Sequence, residues 1–264
     1  MVEVLQYDFI QNALLAGVLI SIAAGIIGSL VVVNKITFIT GGIAHSSYGG
    51  IGLAIYLGLP VLFGATVFAI ITAVIIAILT LNDKKRIDSI IGIMWAFGMA
   101  LGIIFVDLTP GYNVDLMSYL FGSIIAVSSS DITYMLCLNI LIISLVSLFY
   151  KQILAVSYDS EFAKLRGLNV KFFYTLILIL TSLSVVAAIK AVGLILVIAL
   201  LTIPTFIAEV FAKRLSTMMI ISSFLAILFT ILGLVVSYQY DISSGASIII
   251  TAVCFLIVVK LFKR

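Results

Sequence analysis

The chain has 264 residues, 64% of them apolar and 9% charged, with a formal net charge of +3. A soluble domain of this length needs about a quarter of its residues charged to cover its surface, so composition excludes a soluble fold. The solvent for most of this chain is lipid.

Apolar runs of roughly 18 residues, the length a helix needs to cross a ~30 Å hydrocarbon core, recur along the whole sequence. They predict spans at 10–33, 38–57, 60–82, 87–106, 131–150, 171–189, 191–211, 217–237 and 243–260. The count is nine, or eight if one run is re-entrant. The breaks fall at Asn34-Lys35, Gly58 to Pro60, Asp83 to Asp88 and Pro110-Gly111. Because apolar runs continue to the C-terminus, the chain does not read as a cleaved leader on a soluble domain. No repeat or linker divides it, so residues 1–264 are expected to form a single all-α, polytopic membrane domain. Cys137 and Cys254 lie inside predicted spans, far apart in sequence, and read as packing residues.

The second span carries the chain's single histidine. Gly41, His45, Gly49 and Gly52 share one helical stripe, and Gly42, Ser46 and Gly50 the next. Small residues at that spacing let a neighbouring helix backbone approach closely. An ionisable group inside a span faces a bundle interior or a water-filled path, and neutral imidazole is a common ligand of borderline metals such as zinc. The residues alone leave two readings of His45 open, a pathway residue or a packing histidine.

Between Leu108 and Ser130 the apolar stretch Leu116 to Val127 is too short to span, and Ser128 to Asp131 reads as a helix N-cap cluster. The loop at about 151–170 contains Asp159-Ser160-Glu161-Phe162-Ala163-Lys164-Leu165-Arg166-Gly167. Asp159 or Ser160 caps a short amphipathic helix there, and Gly167 ends it in a left-handed conformation. Such a helix suits either the lipid surface or a groove on a cytoplasmic partner. In the seventh span, Gly193 opens the run and Pro204 lacks a backbone donor, which predicts a kink or break. Interrupted helices of this kind often mark transport paths.

Lysine and arginine set the orientation. With the Asp83–Arg86 loop in the cytoplasm, all of the fourteen basic residues except Lys190 fall on the cytoplasmic side. The N-terminus is then outside and the C-terminus inside, and Asp115 and Asp241 lie on an acidic outer face. The sequence has no G-x-x-x-x-G-K-[ST] phosphate loop, and the intramembrane carboxylates of an ion-coupled carrier are also missing. Energy for transport is therefore expected from another subunit.

Five stretches together resemble the ABC-3 family, the permease subunits of zinc, manganese and iron importers. The run ending in His45 is similar to the family's G-D-A-x-x-H helix, and Asp115 to Gly122 to its D-L-x-S-Y-L-F-G stretch. Asp159 to Gly167 resembles its D-x-E-F-A-x-x-x-G segment, Val192 to Ala208 its V-G-x-L-L-V-x-A-L-L-x-x-P pattern, and Asp241 to Gly245 its D-x-P-x-G turn. The resemblance implies a type II ABC importer-like permease of eight to nine helices in the cytoplasmic (inner) membrane. It also implies a homodimer, with a path at or near the subunit interface. ATP hydrolysis would belong to a separate cytoplasmic ATPase docked on the Asp159–Gly167 helix, and an extracytoplasmic solute-binding protein would deliver the metal. The chain itself would be no enzyme and would bind no cofactor; zinc or manganese is the cargo, and no nucleic-acid partner is expected.

The family's metal-path pair is a histidine and a carboxylate one turn earlier. Here His45 matches, but Gly41 stands in place of the aspartate, and Ser243 in place of the proline. Manganese prefers oxygen donors, so the missing carboxylate tilts the expectation towards zinc. Asp115 and Asp241 are the outer carboxylates available to substitute. Competing readings are a permease for an iron or other metal chelate, a secondary metal carrier acting alone, and a membrane scaffold.

Overall fold

A computed structural model describes residues 8–82, 86–110, 122 and 124–262. Among them there is no strand. Ten α-helices follow one another: α1 (Asp8–Val33), α2 (Thr37–Leu57), α3 (Val61–Asn82), α4 (Ile87–Asp107), α5 (Ser129–Leu148), α6 (Tyr150–Tyr158), α7 (Ser160–Leu165), α8 (Val170–Phe211), α9 (Leu215–Tyr240) and α10 (Ser244–Phe262). A short 3-10 turn, Ile124–Ala126, precedes α5. Every segment expected to span falls on one of these helices.

Among the described residues, seven helices are long and apolar enough to cross a membrane by length and composition. The expected eight to nine is slightly more than this count; two of the expected segments do not meet the same measure, each for a physical reason. Helix α2 has 21 residues but carries five glycines, two serines and a histidine, which lower its mean hydropathy. Leu196–Phe211 is apolar but shorter. It belongs to α8, whose 42 residues would reach roughly 63 Å if straight, about twice a bilayer core. The backbone leaves helical geometry at Gly193, with φ 77 and ψ 164, and not at Pro204. Only glycine adopts that conformation without strain. The proline's lost donor leaves the φ/ψ around it helical, as neighbouring groups in membrane helices commonly allow.

The chain divides into two compact units. The first comprises 1–32, 116–144 and 187–264, and therefore holds α1, most of α5, the later part of α8, α9 and α10. Its helices meet where side chains are small. A Cβ on Gly25 would collide with Ser223 of α9, one on Gly28 with the Leu201 carbonyl of α8, and one on Gly233 would come within 2.5 Å of Ile248 Cα in α10. Hydroxyl pairs bridge helices of this unit as well: Ser21 of α1 with Thr230 of α9 at 3.1 Å and Thr205 of α8 with Ser222 of α9 at 2.7 Å.

The second unit comprises 33–115 and 145–186, and so holds α2, α3, α4, α6, α7 and the start of α8. Helix α2 is its centre, with fifteen of 21 residues buried. The helix ends at Gly58, left-handed at φ 67, whose N–H bonds back to the carbonyls of Ala54 and Ile55.

Candidate functional site

The small-residue stripes of α2 do what their spacing predicts. A Cβ on Gly49 would lie 2.9 Å from the Gly98 carbonyl of α4, and one on Gly52 would collide with Gly102. Gly50 faces α3 in the same way, its added Cβ meeting the Gly64 carbonyl. A Cβ on Gly42 would come within 2.5 Å of Ile91 Cγ2, and Gly41 is buried. Ser46 donates to the Met94 carbonyl at 2.7 Å, tying α2 to α4. Backbone packed this closely leaves little room for side chains, so each one present on the seam is informative.

His45 is the exception among these small residues. Its ring lies flat on the indole of Trp95, with centroids 3.7 Å apart and planes 8° from parallel. Trp95 is held in turn by its neighbour one turn on, Nε1–H donating to Met99 Sδ at 3.1 Å. His45 is half-buried, and its Nδ1 is buried with no hydrogen-bond partner. The only other such side-chain atom among the described residues is Asn139 Oδ1. Asn139 at least donates through Nδ2 to the Met135 carbonyl. The carboxylates on α2, α3 and α4 are Asp88 and Asp107, both exposed and at the two ends of α4. At 1.5 Å per residue they are roughly 10 and 18 Å along the axis from Trp95. No group of three or more His, Cys, Asp or Glu able to hold a metal occurs among the described residues. On α2 the one metal-ligating side chain is the His45 imidazole.

Asp115 lies outside the described residues, as do Leu116 to Phe121 and the Asp83 to Lys85 loop. Asp241 caps α9 in a left-handed conformation, φ 50 and ψ 47, its N–H bonded to the Ser237 carbonyl and its side chain exposed. An aspartate tolerates that conformation better than most side chains, and the geometry is that of a turn.

The 151–170 segment forms two helices, α6 and α7. Asp159 caps α7, its Oδ1 accepting from Phe162 N–H at 2.9 Å. Glu161 lies in the first turn and Lys164 in the last, the signs favoured by the helix dipole. Gly167, at φ 78, ends the turn. Ala163 is buried, while Phe162 and Leu165 point outward, 49% and 86% exposed. The Arg166 guanidinium sits 5.0 Å from the Phe162 ring centroid. The capped helix therefore displays an apolar pair, Phe162 and Leu165, on its exposed side.

Lys190, the one basic residue expected outside, pairs with Asp131 at 2.5 Å. Asp131 also closes a capping box with Ser128, accepting from its backbone N–H at 2.9 Å and its hydroxyl at 2.6 Å. Three residues beyond Lys190 the break at Gly193 receives Gly122, left-handed at φ 69; a Cβ on Gly122 would collide with the Val192–Gly193 peptide. Sequence reasoning placed Asp131 in the cap but missed its pairing with Lys190, and it missed Trp95 and Met99. Trp95 and Met99 carry a faint signal, the helical i, i+4 spacing; nothing in the sequence joins either to His45.

A model of the ABC 3 transport family matches residues 6–263. An uncharacterized membrane protein of Synechocystis sp., slr2045, is 44% identical over 264 residues, covering 100% of this chain and 94% of the relative. The manganese transport system membrane protein MntC of Listeria monocytogenes is 34% identical, covering 98% of this chain and 92% of its own length. Among solved structures, PsaBC from Streptococcus pneumoniae in complex with Fab superposes with a TM-score of 0.88 at 32% identity, covering 98% of this chain and 93% of that one.

Proposed function

This chain belongs to the ABC 3 transport family, and from that premise we propose that it is the membrane-spanning permease of an ATP-driven importer of a divalent metal ion. The observation that carries the reading is the centre of the second unit. The most polar spanning helix, α2, is also heavily buried. It presents one half-buried imidazole with an unpartnered nitrogen. A lipid-facing helix has no use for that arrangement, and a cation path has.

In this reading His45 is the path residue on α2, and Gly193 is the hinge of a gate on α8, with Pro204 beyond it. Asp115 and Asp241 form part of the acidic outer entrance. Helix α7, with Phe162 and Leu165 outward, docks a separate cytoplasmic ATPase subunit where ATP is hydrolysed. An extracytoplasmic binding protein delivers the metal, and two copies of the chain assemble in the cytoplasmic membrane with the C-terminus inside. The family match over nearly the whole length supports treating 1–264 as one permease domain. The name of the Listeria relative supports manganese as cargo, against the tilt to zinc read from Gly41.

Energetics indicate where ATP is used. An inside-negative potential favours entry of a dication by roughly 4.6 kcal/mol per 100 mV. A carrier holding metal at nanomolar affinity opposes release by about 12 kcal/mol. The work lies in stripping metal from the binding protein and closing the gate behind it. A single weak ligand suits such a path, because a tight membrane site would retain the ion.

The test is uptake of zinc and of manganese into proteoliposomes holding the chain, its ATPase and its binding protein. His45→Ala should slow uptake of the cargo metal at least tenfold while ATP hydrolysis persists. Unchanged uptake of both metals would sink the path assignment. Phe162→Asp should release the ATPase from the purified complex and leave the membrane part folded; retention of the ATPase would move the coupling surface elsewhere.

A further inference from the structure

A histidine that binds a metal ordinarily has its other ring nitrogen fixed by a carboxylate or a carbonyl, which sets both the tautomer and the ring plane. His45 lacks that support. Its Nδ1 is buried and unpartnered, and Asp88 and Asp107, the carboxylates of α3 and α4, are at the helix ends. The ring is held by a flat surface instead, the indole of Trp95 at 3.7 Å and 8°. The indole is itself fixed on α4 by its bond to Met99 Sδ at 3.1 Å, and α4 is fixed to α2 by the glycine contacts and by the Ser46 bond to the Met94 carbonyl. The chain of support is continuous, from helix seam to indole to imidazole.

We propose that Trp95 is the positioning residue for His45: the indole, locked by Met99, sets the imidazole plane in place of a hydrogen-bonded partner. It thereby sets how readily a passing divalent cation is bound. The inference rests on His45 being the path residue. Two consequences follow from the chemistry of a stack. The ring loses little freedom when it meets the ion, because its plane is already fixed. Nor does a carboxylate raise the basicity of the imidazole, so the ligand stays weak and release stays fast. The stack thus holds the ligand in place without strengthening its hold on the ion.

Trp95 is the only tryptophan in the chain and His45 the only histidine, so the pair reports on itself. Zinc titrated into the purified full-length chain in nanodiscs should change the intrinsic tryptophan emission, and the change should disappear in His45→Ala. A zinc response that survives in His45→Ala would place the metal elsewhere and overturn the proposal. In reconstituted uptake, Trp95→Leu should raise KM roughly 2- to 13-fold, the range set by the worth of an aromatic stack, with the maximal rate nearly unchanged. Trp95→Phe, which restores a flat surface, should recover most of the loss, and Met99→Leu should have a smaller effect in the same direction. If His45→Ala impairs uptake while Trp95→Leu keeps the wild-type KM, the positioning role fails and the path assignment stands. Equal loss in Trp95→Leu and Trp95→Phe also overturns it, because bulk rather than the stack would then matter. If His45→Ala transports normally, the path assignment itself has failed.

Discussion

The two compact units solve the same packing problem and treat their polar groups differently. In both, glycines bring helix backbones into contact: Gly25, Gly28 and Gly233 in one, Gly49, Gly50 and Gly52 in the other. That is expected where lipid removes the hydrophobic drive between helices and close van der Waals packing must replace it. The first unit pairs Ser21 with Thr230, Thr205 with Ser222 and Lys190 with Asp131, and its one unpartnered buried oxygen among the described residues, on Asn139, sits on an amide that still donates to the Met135 carbonyl. The second leaves the imidazole nitrogen of its central helix without a partner. Burying a polar group unpaired is unfavourable, and in the proposed function that cost is kept at His45 for the path.

The comparison breaks if the glycine seams are incidental. Gly52→Leu forces a side chain into the Gly102 backbone. The variant should lose about 1–3 kcal/mol of stability, the usual penalty for overpacking, read as thermal denaturation of the detergent-solubilised chain. Gly92→Leu is the control on α4, where an added Cβ meets nothing within 4 Å, and it should melt with the wild type. Equal destabilisation of both would mean that leucine is tolerated poorly anywhere on these helices.

Asp131 sharpens the comparison from the satisfied side. Asp131→Ala removes the partner of Lys190 and half of the capping box at once. It should lower stability by about 2 kcal/mol, combining a lost cap with a lost charge-assisted bond. Lys190→Met should lose less, because Asp131 keeps both bonds from Ser128. The reverse order would make the ion pair, and not the cap, the element that holds the start of α5.

Local features of this architecture were legible in the sequence, and long-range partners were not. The nine apolar segments, the capped helix at Asp159–Gly167, the serine cluster ahead of α5 and the glycine stripes of α2 are all stated by residue type and short spacing. The pairing of Lys190 with Asp131 crosses 59 positions and that of His45 with Trp95 crosses 50, and no local pattern encodes either. Pro204 drew attention as a helix breaker because its chemistry is visible in the sequence. The departure from helix lies at Gly193, where the signal is a permitted conformation and not a forbidden one.

Smaller effects refine the picture. Ser21→Ala deletes one interhelical hydroxyl bond in the first unit, and bonds of that kind in membrane proteins average about 0.6 kcal/mol. The shift in melting should be just resolvable. A loss several times larger would show that hydroxyl pairs, and not glycine contacts, hold α1 to α9.

His45→Phe should move stability least and decide most. Phenylalanine keeps a flat ring to lie on Trp95 and has no nitrogen to leave unsatisfied. Removing an unpaired buried acceptor relieves a penalty instead of deleting a bond. The variant should therefore match the wild type within about 0.5 kcal/mol, or gain up to about 1 kcal/mol, while metal uptake is lost. A group whose removal leaves the fold intact and ends transport is held in place by function. If His45→Phe instead loses as much as Asp131→Ala, the imidazole is bonded like the polar groups of the first unit. The two units would then differ in composition only, and α2 would be a packing helix that happens to contain a histidine.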